Sequence, residues 1–287
     1  MKKRGKQRWL ILTCIMLLVM SMGLSGCSKA KTSTTTGQSA GEAAAVVPTW
    51  DQLVANKDSK IPGAQEVSGH YSGVMVITDL QMPQPKNQGK DISDSGEACG
   101  YAMMMALKDV PLPVSMDLQV GSDGKGTLTM TVQGLTDKEG SKPEAIPVSY
   151  ANGKLTMESQ SDPKQTVTQD LSITFLNKQY KQALTAKAGD EKTKGKSAQD
   201  EITQLKAKIA AASESEKAGL QQELQQKESQ AKYRDVSSSY MEQMANSSAT
   251  LVMNGSFSTQ SSDQNGVTSI KCVLSAVNAT VAPPQMK

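Results

Sequence analysis

The sequence predicts an α+β fold: an antiparallel β meander of about eight strands, barrel-like or held as a curved sheet, with a helical hairpin inserted before the last two strands. Two patterns carry this reading. Beyond residue 70, apolar side chains recur at every second position in short runs separated by Gly, Asp and Asn, as in consecutive hairpins with one face in water. Between residues 199 and 246 the spacing lengthens to three and four, the period of a helix. A two-sheet sandwich built from the same strands is the rival arrangement.

Along the chain the elements begin at PTWDQLVAN, where Thr49 suits an N-cap and Gln52 its capping partner, leaving Trp50, Leu53 and Val54 to pack the turn. YSGVMVITDL, near residue 75, is the first strand. In VSMDLQV, Val114, Met116, Leu118 and Val120 share a face, and after GSDGKG the pattern resumes at Leu128, Met130 and Val132. A second hairpin joins AIPVSY to LTMES through ANGK, because Asn152 and Gly153 accept the positive φ of a type I′ turn. Pro147 cannot donate to a ladder, which predicts an edge or a bulge. Val167, Gln169, Leu171, Ile173 and Phe175 align in TVTQDLSITF, and ATLVMNGSFST pairs with VTSIKCVLSAVNATV. A meander of this kind is broadly similar to lipocalin-type barrels, without a lipocalin signature motif, so the likeness concerns architecture alone.

Before the last strand pair, AKAGDEKTKGKS reads as a polar connector to two helices at about 199–212 and 216–246. Ile202, Leu205 and Ile209 form a seam whose register slips by Leu220 and Leu224, and Ser213 with Glu216 supplies a capping box at the slip. Glu223 with Lys227, and Glu228 with Lys232, are spaced to pair along one helix. The apolar stripe is thin. The insertion, 198–246, is therefore coiled-coil-like, and either mostly wet or buried against another chain.

These elements make one β-rich domain, 48–282, within a chain of 287 residues. Two Phe and two Trp against 16 Met leave the packing to aliphatic and thioether side chains. The formal charge of +3 includes five positive residues, Lys2, Lys3, Arg4, Lys6 and Arg8, so the remainder is net −2. That balance gives no electrostatic footprint for nucleic acid.

The five charges precede a mostly apolar run from Trp9 to Leu24, shorter than the roughly 20 residues of a membrane span, so residues 1–26 read as a signal peptide. Leu24, Ser25, Gly26 and Cys27 resemble the lipobox of bacterial lipoproteins. The resemblance implies a diacylglycerol on the Cys27 sulfur, cleavage just before it and a further acyl chain such as palmitate. It thereby implies anchoring on the extracytoplasmic face of a cell membrane. Cys14, inside the apolar run behind Leu12 and Thr13, fails the pattern. Residues 27–47, rich in Ser, Thr, Gly and Ala, form a lipidated flexible tether reaching roughly 25 Å.

The catalytic inventory is thin. His70 is the only histidine, and no nucleophile elbow, zinc-protease, Walker or dinucleotide motif is present, so an enzyme is not expected, nor a metal or cofactor. Asp91, Asp94 and Glu97 read as a solvated acidic loop. Cys99 and Cys272 could form a disulfide outside the cytoplasm, closing about 170 residues for up to about 5 kcal/mol, or remain reduced, with Cys272 on an apolar face. Met116, Met130, Met157 and Met253 fall on inward faces. They are either core filler in place of aromatics or an adaptable lining for an apolar ligand. The leading expectation is a lipid-anchored binding module for an apolar small molecule or envelope component. The alternative is an assembly factor acting on an envelope protein through the helical arm.

Overall fold

The computed structural model describes residues 47–55, 59–83, 104–132, 145–158, 166–263 and 266–282. The signal segment with Leu24, Ser25, Gly26 and Cys27, the tether up to residue 46, the acidic loop and Cys99 lie outside the described residues.

Eight strands form a closed antiparallel barrel in chain order. They are β1 (Gly69–Gln81), β2 (Leu112–Val120), β3 (Lys125–Val132), β4 (Ala145–Ala151), β5 (Lys154–Glu158), β6 (Thr166–Phe175), β7 (Leu251–Asp263) and β8 (Gly266–Val277). Closure comes from β1 pairing with β8, from Ser72↔Val277 to Gln81↔Ser269 with a bulge between Ile77 and Asp79. Every strand edge is thereby paired, so the sandwich is set aside. Register keeps one set of side chains inside around the ring: Tyr71 faces Met116, Met116 faces Met130, Gln169 faces Phe257, and Phe257 faces Cys272.

The turns follow the predicted chemistry. Asn152 and Gly153 take φ of 51° and 78°, the primed geometry that matches strand twist. The β2–β3 turn is fixed by Gly121 N–H donating to the Lys125 carbonyl at 2.8 Å, with Gly124 at φ 77°. Pro147 departs from expectation. It lies within a closed barrel, opposite Thr127 and immediately before Val148, where the β4–β5 pairing ends, so the end of one ladder takes the place of a sheet edge.

A short helix α1 (Trp50–Val54) carries the predicted box, Thr49 N–H donating to Gln52 Oε1 at 2.8 Å and Gln52 N–H to Thr49 Oγ1 at 3.1 Å. Trp50 and Leu53 bury against the outer wall of β7 and β8. Helix α2 (Ala64–Val67) leads into β1.

The long insertion is a helical hairpin, α3 (Lys178–Ala211) and α4 (Glu214–Asn246). The break falls where the sequence places it. Glu216 accepts from the Ser213 N–H at 3.1 Å and from its hydroxyl at 2.6 Å. The start does not: α3 opens at Asn177, whose Oδ1 caps the Tyr180 N–H at 2.8 Å, so the supposed connector 186–197 and everything from 178 onward are helical.

Two forces hold that stretch. Tyr180, Leu184 and Ala188 bury a stripe against Val74, Val76, Val252, Val273 and Val277 on the outside of the barrel. The polar residues find partners instead of water: Glu191, wholly buried, meets Arg234 of α4 and Lys194 at 3.2 Å, while Lys187 sits 4.7 Å over the Trp50 ring. Farther out, Lys227 pairs with Glu201 and Lys206 with Glu228. These ion pairs join the two helices, where the sequence suggested pairs within one. The arm is thus not wet along its whole length. Its root is buried on the barrel, and its outer part has only a thin seam of Ala198, Ile202, Leu224 and Ala231.

Candidate functional site

The barrel interior is the best-defined candidate site, and its two ends differ. At the end where β1 begins, residues 59–68 cross the opening. Lys60 bridges to Ile173, the Tyr150 hydroxyl donates to the Pro62 carbonyl at 2.6 Å, and the Tyr71 hydroxyl donates to the Val67 carbonyl at 3.0 Å. Ser68 Oγ accepts from the Val120 N–H at 2.9 Å, and Val67 has no exposed surface. Two phenols and a capped turn close that end.

Above this floor the wall is aliphatic: Val114, Leu118, Leu128, Val148, Leu155, Leu171, Leu274 and their neighbours are buried. Burial pushes the Tyr71 hydroxyl and the Cys272 thiol up to about 12, because neither ionised form has water or a counter-charge to stabilise it. The interior named by these residues carries no charged side chain.

Toward the opposite end the packing loosens. Met82, Met130, Met157 and Phe257 are only partly buried against the core. The four methionines singled out from sequence all lie on the inner wall. Met116 and Met253 are deep, at 4% and 1% exposure, while Met130 and Met157 stand nearer the loose end. Met116 and Met130 face each other across β2 and β3; Met253 is on the far side, paired with Ile173 and Ala276. A helical turn over 104–107 adds Met104 and Leu107 to the same core.

Other expected residues fall elsewhere. Cys272 is a free, buried thiol on the inner wall, so it forms no bridge here, and its proposed partner Cys99 is outside the described residues. His70 is exposed on the outer face, opposite Asp117. Phe175 shares the inward phase of β6 yet is 65% exposed, because it lies past the floor of the barrel, beyond Ile173 and its bridge to Lys60. Among the described residues no cluster of three or more His, Cys, Asp or Glu is placed to hold a metal.

Two interior residues escaped attention as site candidates. Phe257 stands across β6 from Gln169, and Gln169 is a carboxamide, 7% exposed, among apolar neighbours. The available signal was phase: Gln169 occupies an apolar position in the alternation of TVTQDLSITF.

The helical arm leaves from the closed end and climbs the barrel. Tyr180 bonds Asn254 and Ser275 low on the wall, at 2.8 and 2.9 Å. Higher up, Ser237 donates to Pro111 at 2.7 Å and Gln230 to Ala106 at 2.6 Å. The free part of the hairpin therefore projects on the side of the loose, methionine-lined end. No protein-family model, curated protein or solved structure matches this chain.

Proposed function

We propose that this chain is a lipid-anchored extracytoplasmic lipoprotein whose barrel is a non-catalytic binding module for an apolar small molecule. The observation that supports the binding role is the polarity of the barrel itself: an uncharged aliphatic interior, closed at one end and lined at the other by half-buried Met130, Met157 and Phe257. An eight-stranded barrel is at the size where side chains alone fill the interior or one small ligand replaces some of them. Flexible thioethers are the side chains that move aside at least cost. The anchor rests on the Leu24, Ser25, Gly26, Cys27 resemblance, and a tether from Cys27 keeps the barrel near the membrane surface, where apolar molecules concentrate.

Two measurements test this. Native mass spectrometry of residues 48–287 is expected to show a monomer carrying the extra mass of a small organic molecule; a bare monomer that takes up no added apolar compound rejects the binding role. Cys27→Ala is expected to abolish labelling by radioactive palmitate and retention in the membrane fraction. Labelling that persists at the same site rejects the anchor.

A further inference from the structure

Gln169 is the one strongly polar side chain on the described inner wall, and its surroundings are built to hold it. It pairs with Leu155 on one side and Phe257 on the other, one pleat deeper than the Met157↔Val167 pair. Gly255, the next inward position of β7, has no side chain. A Cβ there would fall 2.4 Å from Gln169 Nε2, so the carboxamide occupies the space a larger residue would fill. It is 93% buried, from an exposure of 7%, but its amide is not among the described side-chain atoms sealed from water without a partner, so the small exposure that remains reaches the carboxamide. Water at this amide is what the polar head of a ligand would displace, among neighbours that are otherwise apolar.

Resting on the binding role proposed above, we propose that Gln169 is the polar handle of the barrel and that the ligand is an elongated apolar molecule with a neutral hydrogen-bonding head group, such as an alcohol, ester or amide. The carboxamide offers two N–H donors and a carbonyl acceptor, so it serves any of these heads. An ionised head is disfavoured, because the described residues of the inner wall supply no cation to offset its desolvation. The chain of such a ligand lies toward Met157, Met130 and Phe257, and its head reaches one step down to Gln169.

The test uses residues 28–287, which hold every residue of the described core, with far-UV circular dichroism melting to check the fold of each variant. Displacement of the neutral probe N-phenyl-1-naphthylamine is followed for octan-1-ol, 1-chlorooctane and octanoate, which share a chain length and differ in the head. The parent protein is expected to bind octan-1-ol about five- to tenfold more tightly than 1-chlorooctane, as one net hydrogen bond of about 1 kcal/mol or slightly more implies, with octanoate the weakest. Gln169→Met is expected to erase the preference for the alcohol, so that octan-1-ol and 1-chlorooctane bind alike. Gly255→Ala, which pushes the carboxamide from its seat, should reduce the preference without removing it.

Equal binding of alcohol and chloride by the parent overturns the proposal and leaves the amide to water, with the binding role intact. A preference that survives Gln169→Met overturns it too. If the parent takes up neither the probe nor any octyl compound, the binding role falls and the handle with it.

Discussion

The barrel has two arcs that solve burial differently. On β1, β7 and β8 both faces are covered: Met75, Ile77, Met253, Cys272 and Leu274 point inward, while Val74, Val76, Val252, Val273 and Val277 point outward into the helical hairpin. On β3, β4 and β5 the inner face is apolar, and the outer face carries exposed Lys125, Thr127, Pro147, Ser149 and Lys154. The first arc is the centre of a three-layer stack, the second a wall with water behind it. The same strand geometry therefore bears very different energetic weight on the two sides.

The covered arc should be the more fragile. Tyr240 of α4 has no exposed surface and packs on that arc, its hydroxyl directed at the carbonyls of Val114 in β2 and Val281 after β8, at 3.4 and 3.3 Å. Tyr240→Ala should cost about 4 kcal/mol, the range for deleting a buried aromatic ring. Thr127→Ala on the wet arc should cost below about 0.5 kcal/mol. Urea unfolding of the two variants measures the contrast; equal costs would show that the helices merely lie on the barrel without sharing its core.

The inner face is common to both arcs and has its own signature in alkali. The Cys272 thiol is held at about 12 against an ordinary 9.0, so above pH 9 the unfolded chain releases a proton that the folded chain keeps. The unfolded state then binds fewer protons, and stability falls with rising pH, fully present below 9 and lost progressively toward 12. By pH 10.5 the loss should reach about 2 kcal/mol. Cys272→Val, similar in size and without the thiol, should remove that contribution, leaving the decline that starts near 10 from Tyr71, Tyr150, Tyr180 and Tyr240, whose hydroxyls burial also pushes up. Chemical unfolding at pH 8 and 10.5 checks it; parallel declines in both proteins would mean that water reaches the inner wall.

The same two arcs decide what could be read from sequence. Strands of the wet arc alternate cleanly, as at Leu128, Met130 and Val132 between threonines, and their register and turns were legible. The covered arc gives near-continuous apolar runs such as Val74 to Ile77, which mark a strand but hide that a second layer covers it. The layer was hidden for a related reason. In α3, Lys187 and Glu191 look solvated along the sequence, and their burial depends on distant partners, the Trp50 ring beneath Lys187 and Arg234, 43 residues away from Glu191. A barrel-like meander was legible, but the choice of barrel over sandwich rests on the β1–β8 pairing, which joins the first strand to the last. Of the candidate site, the inward methionines were legible from phase. The floor made by Pro62, Val67, Tyr71 and Tyr150 was not, because it depends on contacts between segments as distant as 88 residues.

The smallest expected effect tests the wet arc on its own terms. Lys154 and Asp170 form a 2.6 Å ion pair across β5 and β6, but their side chains are 60% and 66% exposed. Water and salt screen such a pair, and ordering two long side chains costs entropy, so short distance does not translate into stability. Lys154→Ala should lower stability by no more than about 0.5 kcal/mol, and the small difference should vanish at molar salt. Urea midpoints at low and high ionic strength measure this. A loss well above 1 kcal/mol that salt leaves unchanged would mean the β5–β6 surface is shielded from solvent, and that the barrel has a covered face on this side too.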